Sequence, residues 1–408
     1  MFENILKGKP TLLKKGMSVT PFKYSRQFWL MCISTYLFFF SFNFIISELP
    51  GYLELLGGAN YKGLIIGLFT VAAFISRPFS GNLADTIGRV PVIVIGTVVC
   101  ILLGALYPLL TTVYGFLILR FFHGFSTGFQ PTGTTSYIAD IVPMNRRGEA
   151  MGYLGVAGTL GMSSGPSFGS MVVKFFSYDI MFLSSSLAAI LSLIILGGLK
   201  ETIPEKKPFS WEILKIWKYP LYDPKVKNAA ITMFLNTFCF GMVLTVIPDY
   251  SEYIGMENSG IFLLVFTAAS LLTRLFAGKL SDVKGRIFVL MISSSMIGIS
   301  MLLLGLNQSV EMYYTCAVLF GLGTGMNSPT IFAWTVDLGD ELKRARSVAT
   351  VFMALEAGIF SGAVFPFFIY WNNPENFSLT FWFGSLFSIT AFFYLVHLTI
   401  QQRKNAIR

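Results

Sequence analysis

Arg77-Pro-Phe-Ser-Gly-Asn-Leu-Ala-Asp-Thr-Ile-Gly-Arg89 and Arg274-Leu-Phe-Ala-Gly-Lys-Leu-Ser-Asp-Val-Lys-Gly-Arg286 are two copies of one pattern, 197 residues apart. Seven of the thirteen positions are identical: Arg, Phe, Gly, Leu, Asp, Gly and Arg. The same shift pairs Gly63 with Gly260, Phe69 with Phe266 and Thr70 with Thr267. It also pairs Gly124 with Gly321, Gly128 with Gly325, Asp140 with Asp337, Gly161 with Gly358 and Gly165 with Gly362. One offset held over about a hundred residues marks an internal duplication, and each copy is the size of a six-helix unit rather than a short repeat.

The solvent of that duplication is hydrocarbon. Of 408 residues, 54% are hydrophobic and only 12% charged, with 41 phenylalanines. A soluble domain is nearer a quarter charged and could not cover so much apolar surface. Twelve apolar runs follow, at 27–49, 61–81, 91–110, 114–138, 149–172, 179–199, 228–248, 259–280, 287–306, 312–336, 347–371 and 377–400. Each is about long enough for an α-helix to cross a ~30 Å hydrocarbon layer. Backbone groups in that layer must pair within the segment, and the short alternating strands of a barrel are absent, so the runs read as helices. The expected architecture is an all-α integral membrane protein of two pseudo-symmetric six-helix bundles. The bundles occupy 27–199 and 228–400, with an N-terminal tail at 1–26, a linker at 200–227 and a C-terminal tail at 401–408. Six helices separate the copies, so the halves run parallel about an axis along the membrane normal.

Basic residues set the orientation. With the N-terminus inside, all Lys and Arg except Lys62, Lys174 and Arg120 fall on the cytoplasmic side or on the cytoplasmic ends of helices. The outer loops carry acids instead, among them Glu54, Asp179, Asp249 and Glu311. Both ends are therefore expected in the cytoplasm, and the expected location is a bacterial inner membrane. The net charge of +9 is spread in strips between apolar runs, unlike the single basic face of a nucleic-acid binder. The first 26 residues, with Lys7, Lys9, Lys14, Lys15, Lys23 and Arg26, read as a basic retaining tail rather than a cleavable leader. Cys32, Cys100, Cys239 and Cys316 lie far apart in separate spans and have no metal-ligand spacing, so no metal site and no cofactor is expected. In the linker, Ser210 can cap a short helix from Trp211 to Trp217. Trp211, Leu214 and Trp217 would share one side of it and lie in the headgroup layer; a plain turn is the alternative.

Twelve helices in two similar halves, with Gly81-Asn-Leu-Ala-Asp-Thr-Ile-Gly-Arg89 after the second and Gly278-Lys-Leu-Ser-Asp-Val-Lys-Gly-Arg286 after the eighth, resemble the major facilitator superfamily. One departure is that Val90 and Pro91 follow the first copy where a basic residue is common. Physically, Gly81 and Gly278 permit close helix approach, and Gly88 and Gly285 a tight turn. Asp85 and Asp282 can sit against a helix N-terminus, where negative charge is favoured by ~0.3–1 kcal/mol. Arg89 and Arg286 can reach Asp140 and Asp337 at the cytoplasmic ends of the fourth and tenth spans. Together these ten residues are expected to latch the cytoplasmic side when the protein opens outward. The bland alternative is a set of topology markers.

Energy and direction come next. No Gly-x-x-x-x-Gly-Lys-[Ser/Thr] loop occurs, so a gradient rather than ATP is the expected driver. The fifth span carries Gly161, Gly165 and Gly169 at four-residue spacing with Pro166 beside the middle one, a seam for close helix packing. This string resembles the fifth-helix signature of the superfamily's antiporter branch, except that Ser170 stands for its second terminal glycine. The resemblance implies export of drugs or metabolites driven by proton entry. Packing alone leaves an uptake symporter equally open.

Charges inside spans cost ~2.5–3.5 kcal/mol each and are functional candidates by default. Glu48 and Glu356 are the expected proton carriers, with Arg120 as their electrostatic tuner and His123 as a relay or, equally in keeping with its glycine neighbour, a packing residue. Arg120-Phe-Phe-His123-Gly124 matches the family's fourth-helix motif, whose arginine is implicated in coupling. The resemblance places spans 1, 4, 7 and 10 around the substrate. That nominates Asn43, Gln130, Asn236 and Asn327 as polar contacts and Phe40, Phe240 and Trp334 as walls. No nucleophile–base pair or acid cluster has enzymatic spacing, so an enzyme is not expected. The expected activity is proton-coupled export of small amphipathic molecules by a monomer whose partners are substrate, protons and lipid. A nutrient symporter or uniporter, or a lipid flippase on the same scaffold, remains as the alternative.

Overall fold

The computed structural model describes residues 23–407 apart from 204, 216–220, 257–259, 307–308 and 370–372. The basic tail expected over 1–26 thus lies almost wholly outside the described residues, as does Trp217. Fourteen α-helices occur among the described residues. They are α1 (Arg26–Phe44), α2 (Leu49–Leu55), α3 (Leu64–Thr86), α4 (Arg89–Leu106), α5 (Val113–Ile141), α6 (Arg147–Phe175) and α7 (Tyr178–Leu196) in the first half. The second half holds α8 (Lys227–Tyr253), α9 (Ile261–Lys284), α10 (Arg286–Leu306), α11 (Val310–Leu338), α12 (Arg344–Val364), α13 (Pro366–Ile369) and α14 (Phe377–Ile407). Without the short α2 and α13, twelve helices remain, the number the sequence implies.

The duplication is visible in the helix boundaries. Arg89, Val113 and Arg147 open α4, α5 and α6; Arg286, Val310 and Arg344, each 197 residues later, open α10, α11 and α12. Among the described residues, nine helical stretches are long and apolar enough to cross a membrane on hydropathy alone. The 29-residue helices α5, α6 and α11 are not among them. They are long enough, but Gly, Ser and Thr replace bulky apolar residues along them. Those small residues are spent on helix contact. A Cβ on Gly124 of α5 would lie 2.2 Å from the Phe69 carbonyl oxygen of α3, and one on Gly321 of α11 would lie 2.4 Å from that of Phe266 on α9.

The seam on α6 packs within the first bundle. Gly161 lies on Tyr36 and Phe40, Gly165 on Phe40 and Phe44, and Gly169 on the Phe44 carbonyl, all of α1. Pro166 does not break α6, which runs unbroken through it. The second half repeats two of the three contacts, with Gly358 on Phe234 and Gly362 on Phe238 of α8. Its third position is Pro366, where α12 gives way to α13. The seam is therefore bundle architecture in both halves.

Three expected boundaries are corrected. The first span ends at Phe44 rather than 49, because the chain turns at 45–48 and restarts as α2 with Pro50 in its first turn. The last helix continues to Ile407, so most of the expected C-terminal tail is helical. In the linker, Trp211–Leu214 is one 3-10 turn, and its buried residue is Ile213, not Trp211, which is 76% exposed. Ile213 docks on the end of α3, where Asn82 Nδ2 donates to its carbonyl at 2.7 Å.

A methyl group at Gly169 has nowhere to go, since its Cβ would lie 1.7 Å from a backbone oxygen. Gly169→Ala is expected to destabilise the purified protein by about 1–3 kcal/mol. Gly67, with nothing within 4 Å of a new Cβ, should tolerate Ala within about 0.5 kcal/mol. Thermal unfolding in one detergent compares the two; equal midpoints would refute the close α1–α6 contact.

Candidate functional site

Two charged clusters join the halves at the end of the bundle that carries the α3–α4 and α9–α10 loops. In the first, α3 ends at Asp85 and Thr86, Gly88 turns the chain at φ +127°, and Arg89 opens α4. Arg89 binds Asp85 directly and reaches Asp140 at the end of α5 from Nε at 3.0 Å. The two carboxylate oxygens of Asp85 accept from the Ala345 and Arg346 backbone N–H groups, 2.9 Å each. Those groups open α12, in the opposite half. Arg344, from the same turn, donates to Asp140 at 2.7 Å.

The second cluster repeats the first with the halves exchanged. Gly285 turns at φ +94°. Arg286 holds Asp282 at 2.5 Å and Asp337 at 2.9 Å. Asp282 accepts from the Gly148 and Glu149 N–H groups at the start of α6, 2.9 Å each, and Arg147 reaches Asp337 at 3.0 Å. Gly81 and Gly278 sit at the crossings: a Cβ on Gly81 would meet Ala349 of α12 at 2.8 Å, and one on Gly278 the Gly148 carbonyl at 2.0 Å. All ten residues nominated for a latch thus lie at two inter-half contacts. Sequence reasoning missed Arg147 and Arg344, although both sit 197 residues apart like the rest. The linker adds a tie to the first cluster: Glu201 accepts from the Arg89 and Val90 N–H groups at 2.9 and 3.1 Å, and Thr202 Oγ1 donates to Asp140 at 2.7 Å.

Deeper in the molecule, Glu356 of α12 meets a partner the sequence reading did not assign. Arg77 of α3, nine residues before the end of its helix, donates from Nη2 to Glu356 Oε1 at 2.9 Å. Its other nitrogen reaches Thr132 Oγ1 at 3.1 Å and the Gly128 carbonyl at 3.4 Å, and the guanidinium lies 4.0 Å over the Phe352 ring. Arg77 is 2% exposed and Glu356 14%. Above the pair, α3 and α12 part to leave a cleft of about 200 Å³ lined by Thr70, Val71, Phe74, Glu356, Ala357, Phe360 and Ser361. Arg77 and its counterpart Arg274 had been counted with the basic residues of the cytoplasmic end. Both are in fact about 14–15 Å inside their helices. The signal was present: Arg is the first identical position of the duplicated pattern.

The remaining candidates are dispersed. Glu48 lies in the turn before α2, where Ser170 Oγ donates to it. That serine is the residue by which the seam departs from its family pattern. Arg120 comes to neither acid: it is fully buried in the first half, its Nε on the Ile65 carbonyl at 3.0 Å and its charge 4.2 Å from the Phe69 ring. His123 is buried beside it, 3.4 Å from both Cys100 Sγ and Tyr107 Oη. Arg120, the expected tuner, is thus in contact with neither acid, since α5 turns it toward α3 and α4; the guanidinium beside Glu356 is that of Arg77.

The expected substrate contacts are placed within their own halves. Asn236 donates to Asn327 and Ser294 at 2.9 Å and accepts from Ser388 at 3.0 Å, forming a closed network in the core of the second half. Trp334 is buried in that half as well. Gln130, fully buried, has no hydrogen-bond partner for either side-chain atom. Asn43 bonds the Phe39 carbonyl of its own helix at 2.8 Å. Phe40 and Phe240 are partly buried, packed on Phe44 and Phe168 and on Phe266 respectively. Buried amides in an apolar bundle satisfy one another first, which a residue-type reading cannot foresee.

Comparison with known proteins agrees with this geometry. The Major Facilitator Superfamily model matches residues 31–272 and 229–407, and the chain belongs to that family of membrane transporters. It is 28% identical over 357 residues to an MFS-type transporter of Methanocaldococcus jannaschii, covering 84% of this chain and 90% of that one. It is likewise 28% identical over 309 residues to the multi-drug resistance efflux pump PmrA of Streptococcus pneumoniae, covering 72% and 76%. Among solved structures, the human organic anion transporter MFSD10 superposes with a TM-score of 0.78 at 17% identity, over 91% of this chain and 99% of that one. The proton:xylose symporter XylE gives 0.75 at 14% identity, over 91% and 95%.

If the two clusters hold this end closed, removing one acid from each should open it. Asp85→Asn together with Asp282→Asn weakens charge-assisted bonds worth about 1.5–3 kcal/mol each, enough to raise an open population tenfold or more. A cysteine at Ala349, buried against Gly81, in a protein lacking its four native cysteines, should label with maleimide at least tenfold faster in the double variant. An unchanged labelling rate would show that the clusters do not govern closure.

Proposed function

We propose that this transporter exports small amphipathic organic molecules in exchange for protons, by alternating access. The observation that carries the reading is the Arg77–Glu356 pair, which joins α3 of one half to α12 of the other at the floor of an inter-half cleft. The carboxylate and the guanidinium attract each other across the halves, and a proton on the carboxylate removes that attraction. The groups that carry the proton are thus the groups that tie the two bodies together, which is what coupling requires.

Orientation belongs to the same proposal. Lys and Arg gather toward the latched end, which is taken as cytoplasmic in a bacterial inner membrane, with both termini inside. The structure then corresponds to the state closed inside, with the cleft on the outward side of the latch. From there a proton from outside reaches Glu356, the pair parts, and the latches release as the halves rock. One proton crossing 100 mV supplies ~2.3 kcal/mol, about fiftyfold accumulation. Similarity to efflux pumps supports the outward direction; an importing symporter would use the same parts.

In efflux-deficient cells, expression should raise tolerance to at least one of a panel of amphipathic cations, anions and neutral compounds by fourfold or more. An uncoupler or Glu356→Gln should abolish the gain, while purified Glu356→Gln in proteoliposomes keeps substrate exchange without responding to ΔpH. Tolerance that survives both treatments would sink proton coupling through Glu356. Inward accumulation driven by inward proton flow in right-side-out vesicles would assign import instead.

A further inference from the structure

Arg274 is the repeat partner of Arg77, but every side chain that satisfies Arg77 is missing around it. Shifted by 197 residues, Glu356 corresponds to Thr159, Phe352 to Gly155 and Thr132 to Pro329. The carboxylate, the ring and the hydroxyl are gone together. Arg274 lies on α9 ten residues before its end at Lys284, facing α6 of the other half. Its nitrogen rests where a Cβ on Gly155 would lie, 2.6 Å away, and its carbonyl against Gly152. Among the described residues it forms no ion pair, and its one hydrogen bond runs from Nε to Ser270 of its own helix at 3.3 Å. The hydroxyl of Thr159 is turned to the Gly155 carbonyl at 2.8 Å. Arg274, Gly155 and Thr159 are all partly accessible rather than sealed.

A second observation points the same way. Four described charges lie more than six residues inside a helix: Arg77, Arg120, Arg274 and Glu356. Three positive and one negative leave a formal excess of two positive charges at membrane depth. Arg120 is closed in by a carbonyl, a ring and its own bundle. The two terminal nitrogens of Arg120 also lack partners, but they are sealed inside one half; Arg274 stands between the halves, partly accessible and without a carboxylate, where an anion can come to its donors.

We propose that Arg274, in the notch made by Gly155 and Thr159 between α6 and α9, is an anion-recognition site, and that the molecules carried are monoanionic amphiphiles bearing a carboxylate or a similar oxyanion. The inference rests on the transporter reading above and names its substrate class. The duplication then has unequal halves by design: one arginine keeps an internal carboxylate for the proton, and the other takes its carboxylate from the cargo. The anion comes from a free organic acid or from a lipid headgroup, and the two sources share the chemistry.

Binding separates this inference from proton coupling, because it needs no gradient. The protein in phosphatidylcholine nanodiscs is titrated with 1-naphthylacetate, 1-naphthylmethylamine and 1-naphthylmethanol, which differ in charge but share a ring. Wild type should prefer the carboxylate at least tenfold. Arg274→Gln should lose that preference, and Arg274→Lys should keep part of it. Thr159→Glu, which restores the acid found in the other half and keeps the arginine in place and paired, should also lose it, so a poorly folding Arg274→Gln does not decide the matter. Adding phosphatidylglycerol assigns the source: competition indicates a lipid headgroup, and its absence a free acid. Equal binding of the three probes, preference for the amine, or full carboxylate affinity in both Arg274→Gln and Thr159→Glu overturns the site. None of these results bears on whether Glu356 carries protons, which is read from the ΔpH response alone.

Discussion

A charge held in hydrocarbon must meet its complement, and the relation between the two halves of this protein follows from that requirement. At the loop end, each aspartate of the duplicated pattern takes two backbone N–H groups from the first turn of a helix in the other half. Those groups have no intrahelical acceptor, and the positive end of the helix dipole favours an anion there. The acid and the helix end satisfy each other across the interface, and an arginine on each side closes the remaining bonds. Apolar packing could hold the same helices. A contact made of a few directional, charge-assisted bonds has defined members, each of which can be weakened singly.

Depth divides the labour. The clusters near the helix ends are made of several partners, so removing one weakens that contact by a bounded amount. The Arg77–Glu356 pair is single and much deeper, where an uncompensated charge costs several kcal/mol. Losing the ion pair there removes the whole contact, whereas losing one bond near the helix ends removes part of one. The fold thus places multiple contacts near the helix ends and a single one deep between the halves.

Most of the fold was legible from the residues, since helix count, bundle order and the duplicated latch all depend on periods and offsets that a chain displays directly. Asp85, Arg89 and Asp140 could be grouped because their copies Asp282, Arg286 and Asp337 recur at the same offset. Pairings across the interface were less legible. Arg77 and Glu356 are 279 residues apart, and nothing local marks either as the other's partner. Polar residue type misled for a different reason. Asn236 and Asn327 look like substrate contacts in an apolar span, yet an amide in a dry bundle gains most from the nearest amide, and these two took each other. Gln130 stands at the position equivalent to Asn327 and found no such partner, because Phe39 occupies the place of Asn236.

That last difference generalises. Where the two halves agree, as at the glycine contacts of α5 and α11 and at the latch, the residues build or close the scaffold, because both halves face the same mechanical task. A transporter with wholly equivalent halves would have no means of treating proton and cargo differently. The two must be distinguished by residues that break the repeat. Glu356 against Thr159, Phe352 against Gly155 and Thr132 against Pro329 are such breaks, and all three surround the same pair of equivalent arginines. Divergence concentrated around two retained guanidinium groups at one depth is hard to derive from packing, which would have altered the arginines first. It follows directly if the arginines are kept for their charge and only the source of the balancing anion has changed.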